Sequence, residues 1–209
     1  MSIISIEVLK KNIPFFETLK LIEKEYNAKI YIVGGCLRDI FLNIPVHDID
    51  IVAEKIEYTK LAKILGKHLK SYAVAFKDNM RIMKNNLIID ISKLRGSTIY
   101  EDVLKRDFTI NNIACSLNAE VIGSIDDIKN SIIKAVYNNG FDDDPLRIVR
   151  AVRFVSIFGF NIEHNTLQLA LSKSSLLKNT AKERVLEEFR KMFQGRFLNK
   201  ALNIITEYN

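Results

Sequence analysis

Asp48 and Asp50 stand one residue apart in the run DIDIVA, and the stretch just upstream, VGGCLRDIFLNIPVH, supplies Gly34, Gly35 and Arg38. In an extended strand side chains alternate, so the two carboxylates share one face while Ile49 and Ile51 point the other way, toward a core. Neighbouring carboxylates repel, and a divalent cation between them relieves the repulsion; oxygen donors with open coordination sites favour Mg²⁺. Metal ions held there can activate an attacking hydroxyl and neutralise a leaving pyrophosphate. A glycine pair between strand and helix lets backbone N–H groups approach a phosphate closely, and Arg38 adds a charge-assisted contact. Asp48 as a turn residue and Asp50 as a solvated strand acid is the plainer alternative, and the glycine pair argues against it. Asp90, in LIIDIS, is a candidate third carboxylate from a neighbouring strand, or an exposed strand acid.

A second constellation lies in DDPLRIVRAVRF. Asp144 and Arg147 are three apart on a predicted helix and share a face. Cytosine and adenine both present an amino donor beside a ring-nitrogen acceptor, so a carboxylate can accept from one while a guanidinium donates to the other. Guanine and uracil present the reverse order, so such a pair selects C and A without a nucleic acid template. Asp144-Pro145 is also an ordinary helix start, with Asp as N-cap and Pro at the first helical position. Arg147, Arg150 and Arg153 recur every three residues, a basic stripe for triphosphate or RNA backbone, or a solvated face. Apolar Ile148, Val149, Val152 and Phe154 cover much of the remaining helix surface, so these arginines should meet an acidic or anionic partner.

The elements that must position these residues follow from periodicity. Apolar positions at helical spacing run from about residue 5 to 26, with a break at Pro14. KIYIV (29–33) reads as a strand, CLRDIFL (36–42) as a short helix, DIDIVA (48–53) as a strand and 58–69 as a helix. Tyr72, Val74 and Phe76 alternate, as do Leu87, Ile89 and Ile91, giving two more strands. IACSL (113–117) and SIIKAV (131–136) are further short apolar runs. From about residue 140 the pattern is helical, over 142–158, 165–173, 180–193 and 197–208, with Thr180 and Glu183 spaced as a capping box. The expected organisation is α+β: a mixed α/β part over 1–138, then an all-helical part over 139–209, divided at the turn cluster YNNGF.

The chain has 209 residues with 48% hydrophobic content, enough for a substantial core. Eight glycines, three prolines and the absence of repeats exclude fibrous and disordered classes. No apolar run is long enough to cross a membrane and no basic leader precedes a long apolar stretch, so a cytoplasmic protein is expected. Cys36 and Cys115 have no metal-ligand spacing and read as free thiols. The formal charge of +6 is a mild bias toward polyanions.

Four stretches in order resemble the class II tRNA nucleotidyltransferases and their relatives, the bacterial poly(A) polymerases: VGGCLRDIFLNIPVHDIDI, KRDFTINNIA (105–114), DDPLRIVRAVRFVSIFGFNIEHNT (143–166) and ERVLEEFRKMF (183–193). The resemblance implies a nucleotidyltransferase palm followed by a helical neck. It implies Mg²⁺ on Asp48 and Asp50, the incoming nucleotide at Gly35 and Arg38, and its sugar and phosphates near Arg106 and Asp107. It supports base selection by Asp144 and Arg147, and it suggests a buried contact of Arg184 with Glu188. The expected substrates are CTP, ATP and the acceptor end of tRNA. Departures are Asp143 where the family has Glu, Lys105 where it has Arg, and Asn112 where it has Ala. The segment Gly96–Leu104 is short, as in members that stop after adding CC. The usual body and tail helices are expected to be absent, so a homo-oligomer or second subunit would supply tRNA contacts. Poly(A) addition, or a catalytically weak RNA- or nucleotide-binding subunit of a split enzyme, are the alternative expectations.

Overall fold

The computed structural model describes residues 4–76 and 78–207, which divide into two compact units. The first comprises the chain up to Arg106 together with Asn111–Ile125; the second comprises Asp107–Ile110 and the chain from Asp126 onward. Residues 126–138 thus join the helical unit, because Ile132 and Ile133 pair there with Asn161 and Ile162.

In the first unit, α1 (Ile6–Asn12) and α2 (Phe16–Glu25) flank the break at Pro14. There follow β1 (Lys29–Val33), α3 (Gly35–Phe41), β2 (Asp48–Glu54), α4 (Tyr58–His68), β3 (Ala73–Phe76), β4 (Asn79–Lys84), β5 (Leu87–Ser92), α5 (Ile99–Leu104), β6 (Ile113–Ser116) and β7 (Val121–Gly123). The strands form one seven-stranded sheet in the order β3-β4-β5-β2-β1-β6-β7. The β2–β5 pair is parallel and the others are antiparallel, so the sheet is mixed, as the α+β expectation requires.

Alternation gives the sheet two different faces. Ile30, Ile32, Ile49, Ile51, Ile82, Ile89 and Ile91 turn to one side, fully buried, where Leu61, Ala62 and Leu65 of α4 are buried with them. The other face carries Tyr31, Val33, Val52 and Ala114, closed over by Ile99 and Val103 of α5. One row of that face continues through direct cross-strand partners: Val33 beside Asp50, Asp50 beside Asp90, Asp90 beside Arg81. The acidic row therefore begins at the edge of the α5 cluster.

The sequence pattern did not reveal β4, β7 or α5. β4 buries one residue fully, Ile82, so its alternation is weak. α5 is six residues long and is held locally, with Thr98 Oγ1 accepting from the Glu101 N–H at 3.3 Å and Glu101 Oε2 accepting from the Ser97 N–H at 2.7 Å.

The second unit contains α6 (Asp126–Lys129), β8 (Ile132–Ile133), α7 (Gly140–Asp143), α8 (Leu146–Phe158), β9 (Asn161–Ile162), α9 (His164–Ser172), α10 (Lys182–Phe193) and α11 (Leu198–Glu207). Tyr208, expected to end the last helix, lies outside the described residues. The unit's core is aromatic: fully buried Phe108 meets Phe154 edge-on at 5.8 Å and Phe141 at 6.4 Å. The single helix expected over 142–158 is divided at Asp144-Pro145, where proline lacks the N–H that a continuous helix requires. α10 starts after Ala181 with no side-chain cap bond, so the Thr180–Glu183 pair does not form the expected capping box. Among the described residues no helix is long and apolar enough to cross a membrane.

Candidate active site

The turn between β1 and α3 sets the geometry of the first unit's site. Gly34 has φ 73° and ψ −134°, a conformation open to glycine and strained for other residues. A Cβ there would lie 2.8 Å from Arg106 Nη1 and 3.6 Å from Asp50 Oδ2. Gly34 is thus the floor on which a guanidinium and a carboxylate converge. Arg106 is held in place by buried Asp102, which accepts from its Nε at 2.8 Å and its Nη2 at 2.6 Å, while Asp102 Oδ1 accepts from the Arg95 N–H at 3.0 Å. Sequence reasoning missed Asp102; its i,i+4 spacing to Arg106 was the available signal. Arg38 is buried beside Gly35, donating to Asn111 Oδ1 at 2.5 Å and through Nε and Nη2 to Asp39 Oδ1 at 2.9 and 2.7 Å.

Asp48 is exposed and Asp50 half-buried on the same face of β2. Burial pushes the Asp50 carboxyl up from 3.8 to about 6; Arg106 pulls it down, and Asp90 and Asp48 push it up. Burial raises Asp39 as well, with Asp48 adding to the rise and Arg38 opposing it. Asp90 lies directly beside Asp50 in the register, but both of its oxygens take the Arg81 guanidinium, at 2.8 and 2.7 Å. Among the described residues no group of three His, Cys, Asp or Glu side chains could hold a metal ion. The candidate donors that remain on this face are Asp48 and Asp50. Crowded carboxylates with one forced toward its neutral form fit Mg²⁺, which binds through one or two carboxylates together with substrate phosphates.

In the second unit, Asp144 and Arg147 sit on either side of the α8 start. Pro145 is the N-cap residue and no side chain caps the helix, so the Asp144 carboxylate does not serve as the expected cap. It accepts instead from Arg184 Nη2, at 3.3 and 3.1 Å. Arg184 is exposed rather than buried, and its partner is Asp144 rather than Glu188. The Arg147 guanidinium lies over the Tyr137 ring, 5.2 Å from its centroid. Arg150 and Arg153 turn inward and do not form a basic stripe: Arg150 Nε donates to Asp107 Oδ2 at 2.9 Å, and Arg153 Nε lies 3.0 Å from Glu188 Oε2. Asp107 and Glu188 are the acidic partners these arginines required, and both are buried.

The first unit is a mixed sheet that presents two carboxylates beside a glycine turn, and comparison with known proteins places this architecture. Residues 30–100 match the poly(A) polymerase head domain, and residues 159–209 match the probable RNA- and SrmB-binding site of polymerase A. The chain belongs to the class II tRNA nucleotidyltransferase and bacterial poly(A) polymerase family. It is 32% identical to the CCA-adding enzyme of Staphylococcus saprophyticus over 214 aligned positions, covering 92% of this chain and 54% of that protein. It is also 32% identical to the CC-adding tRNA nucleotidyltransferase of Halalkalibacterium halodurans over 193 positions, covering 90% of this chain and 50% of that protein. A solved structure of a CCA-adding enzyme with CTP superposes with a TM-score of 0.87 at 30% identity, covering 97% of this chain and 52% of that one. The chain thus spans about half the length of the relatives it matches.

Proposed function

We propose that the protein is a Mg²⁺-dependent nucleotidyltransferase that adds C, and A if it completes the CCA end, from CTP and ATP to tRNA 3′ ends. The observation that carries this reading is the convergence of Asp50 and Arg106 over Gly34, with Asp48 one row away on the same face. The tRNA 3′-oxygen forms a bond to the α-phosphorus, the bond to the bridging oxygen breaks, pyrophosphate departs and the hydroxyl proton is released. Asp48 and Asp50 would hold the metal, which would supply stabilisation of the negative charge that develops during transfer. Arg106, anchored by Asp102, faces the phosphates across Gly34; the turn at Gly34 and Gly35, with Arg38 and Asn111, shapes the rest of the triphosphate cradle. Asp107 acts beside Arg106 in sequence by fixing Arg150, and Arg153 fixes Glu188, so these arginines support α8 from within. Asp144 and Arg147 read the base edge.

The finer reading is a stop after CC. One observation supports it. The short segment before the Arg106 motif is folded as a packed helix, α5, with Ile99 and Val103 buried. The test is product length on tRNAs ending at the discriminator base, C or CC, with Mg²⁺ and CTP, ATP or both. The expected product ends in CC. Completion to CCA overturns the finer reading alone, a long homopolymer from ATP alone assigns the protein to poly(A) addition, and no addition to any tRNA overturns the enzymatic reading.

A further inference from the structure

The Arg147 side chain has a built seat. A Cβ on residue 140 would lie 2.8 Å from Arg147 Nη1 and 3.7 Å from Tyr137 Cζ, so Gly140 leaves open the space between the guanidinium and the tyrosine ring. The ring lies beneath the guanidinium at 5.2 Å, and the Tyr137 hydroxyl donates to Asp143 Oδ2 at 2.7 Å. Burial raises the Tyr137 phenol, the bond to Asp143 raises it further, and Arg147 pulls it down, so the three groups act on one another electrostatically. A guanidinium recognises a base edge through a planar fork of donors, and stacking on an aromatic face fixes the plane of that fork.

We propose that Tyr137 is a positioning residue for base selection: tethered by Asp143 and roomed by Gly140, it fixes the orientation of Arg147. The proposal rests on the assignment of Asp144 and Arg147 as the base-reading pair. It makes selectivity for cytosine over uracil depend on two side chains that touch no nucleotide.

The test is equilibrium binding of CTP and UTP to the full chain in Mg²⁺, which requires no turnover. Tyr137→Phe keeps the half-buried ring and removes the tether. It should lower the CTP-over-UTP preference about five- to tenfold, the scale of one hydrogen bond. Asp143→Ala removes the same tether from its other end and should lower the preference to a similar extent, and combining it with Tyr137→Phe should lower it no further; residues needed only for packing show no such coupling. An unchanged preference in Tyr137→Phe, or losses in the two single variants that add in the double variant, overturns the proposal. Arg147→Ala separates the two levels. If it keeps the preference, the base-reading assignment falls and the Tyr137 role with it; if it abolishes the preference while Tyr137→Phe does not, only the Tyr137 role falls.

Discussion

The acidic face of the first unit and the arginine helix of the second solve opposite electrostatic problems. On the sheet, Asp50 stands half-buried with Asp48 and Asp90 nearby, and its carboxyl is pushed up to about 6 despite Arg106. On α8, Arg150 and Arg153 are met by Asp107 and Glu188 inside the unit. Charge left incompletely neutralised in the fold is available to a cation and an anionic substrate; charge neutralised in the fold holds helices together. The lesson is that a row of arginines and a pair of aspartates look equally functional in a sequence, and their internal partners tell them apart.

The largest effect should come from the acidic face. Asp48→Ala and Asp50→Ala should each lower single-turnover CMP transfer by at least about a thousandfold, since a metal contributes several kcal/mol to stabilising transferring charge. Transfer within about tenfold of the unmodified protein in either variant would break the proposed mechanism.

Next comes the arginine helix, where stability is the readout. Glu188→Ala leaves the buried Arg153 guanidinium without its carboxylate and should cost about 3–5 kcal/mol in chemical denaturation. A cost under about 1 kcal/mol would mean that the ion pair does not organise the unit.

The metal-free pH dependence of Asp50 sharpens the contrast. Its folded pKa of about 6 exceeds the ordinary 3.8, so its contribution favours the fold below about pH 4 and is lost as pH rises toward 6. In chelator, Asp50→Asn should therefore be more stable than the unmodified protein at pH 7, by on the order of 2 kcal/mol, with the advantage vanishing near pH 3.5. An advantage equal at both pH values would contradict a carboxyl raised by burial and by the neighbouring acids.

The smallest expected effect is that of Arg184→Ala. The Arg184–Asp144 pair is exposed, so stability should change by less than about 1 kcal/mol. CTP affinity should change visibly, because Asp144 loses the group that orients it. Unchanged affinity for CTP would leave Arg184 an ordinary surface charge.

Much of this was legible in the residue order. The strand holding Asp48 and Asp50 and its buried isoleucine face follow from alternation, and the turn before α3 from the glycine pair. The short α5 was missed although Thr98-x-x-Glu101 carries an N-cap pattern, because six residues give periodicity too little length to register. Tyr137, Arg184 and Asp102 were not singled out as site residues, because each matters through a partner: Asp143 and Arg147, Asp144, or Arg106. The sequence called for an acidic or anionic partner for Arg150 but could not say which, since Asp107 lies 43 positions away in the chain.

By itself the sequence determined which residues alternate, which recur at helical spacing, where glycine and proline interrupt them, and hence an α+β chain with two acids on one strand face. Those are local properties, set by backbone geometry within a few residues. The tertiary structure decided which charges are neutralised inside the fold and which are not: Asp90 on Arg81, Arg153 against Glu188, Asp50 desolvated beside Asp90 and Asp48. Ion pairing and desolvation depend on distances across the fold, and residue order does not carry those distances.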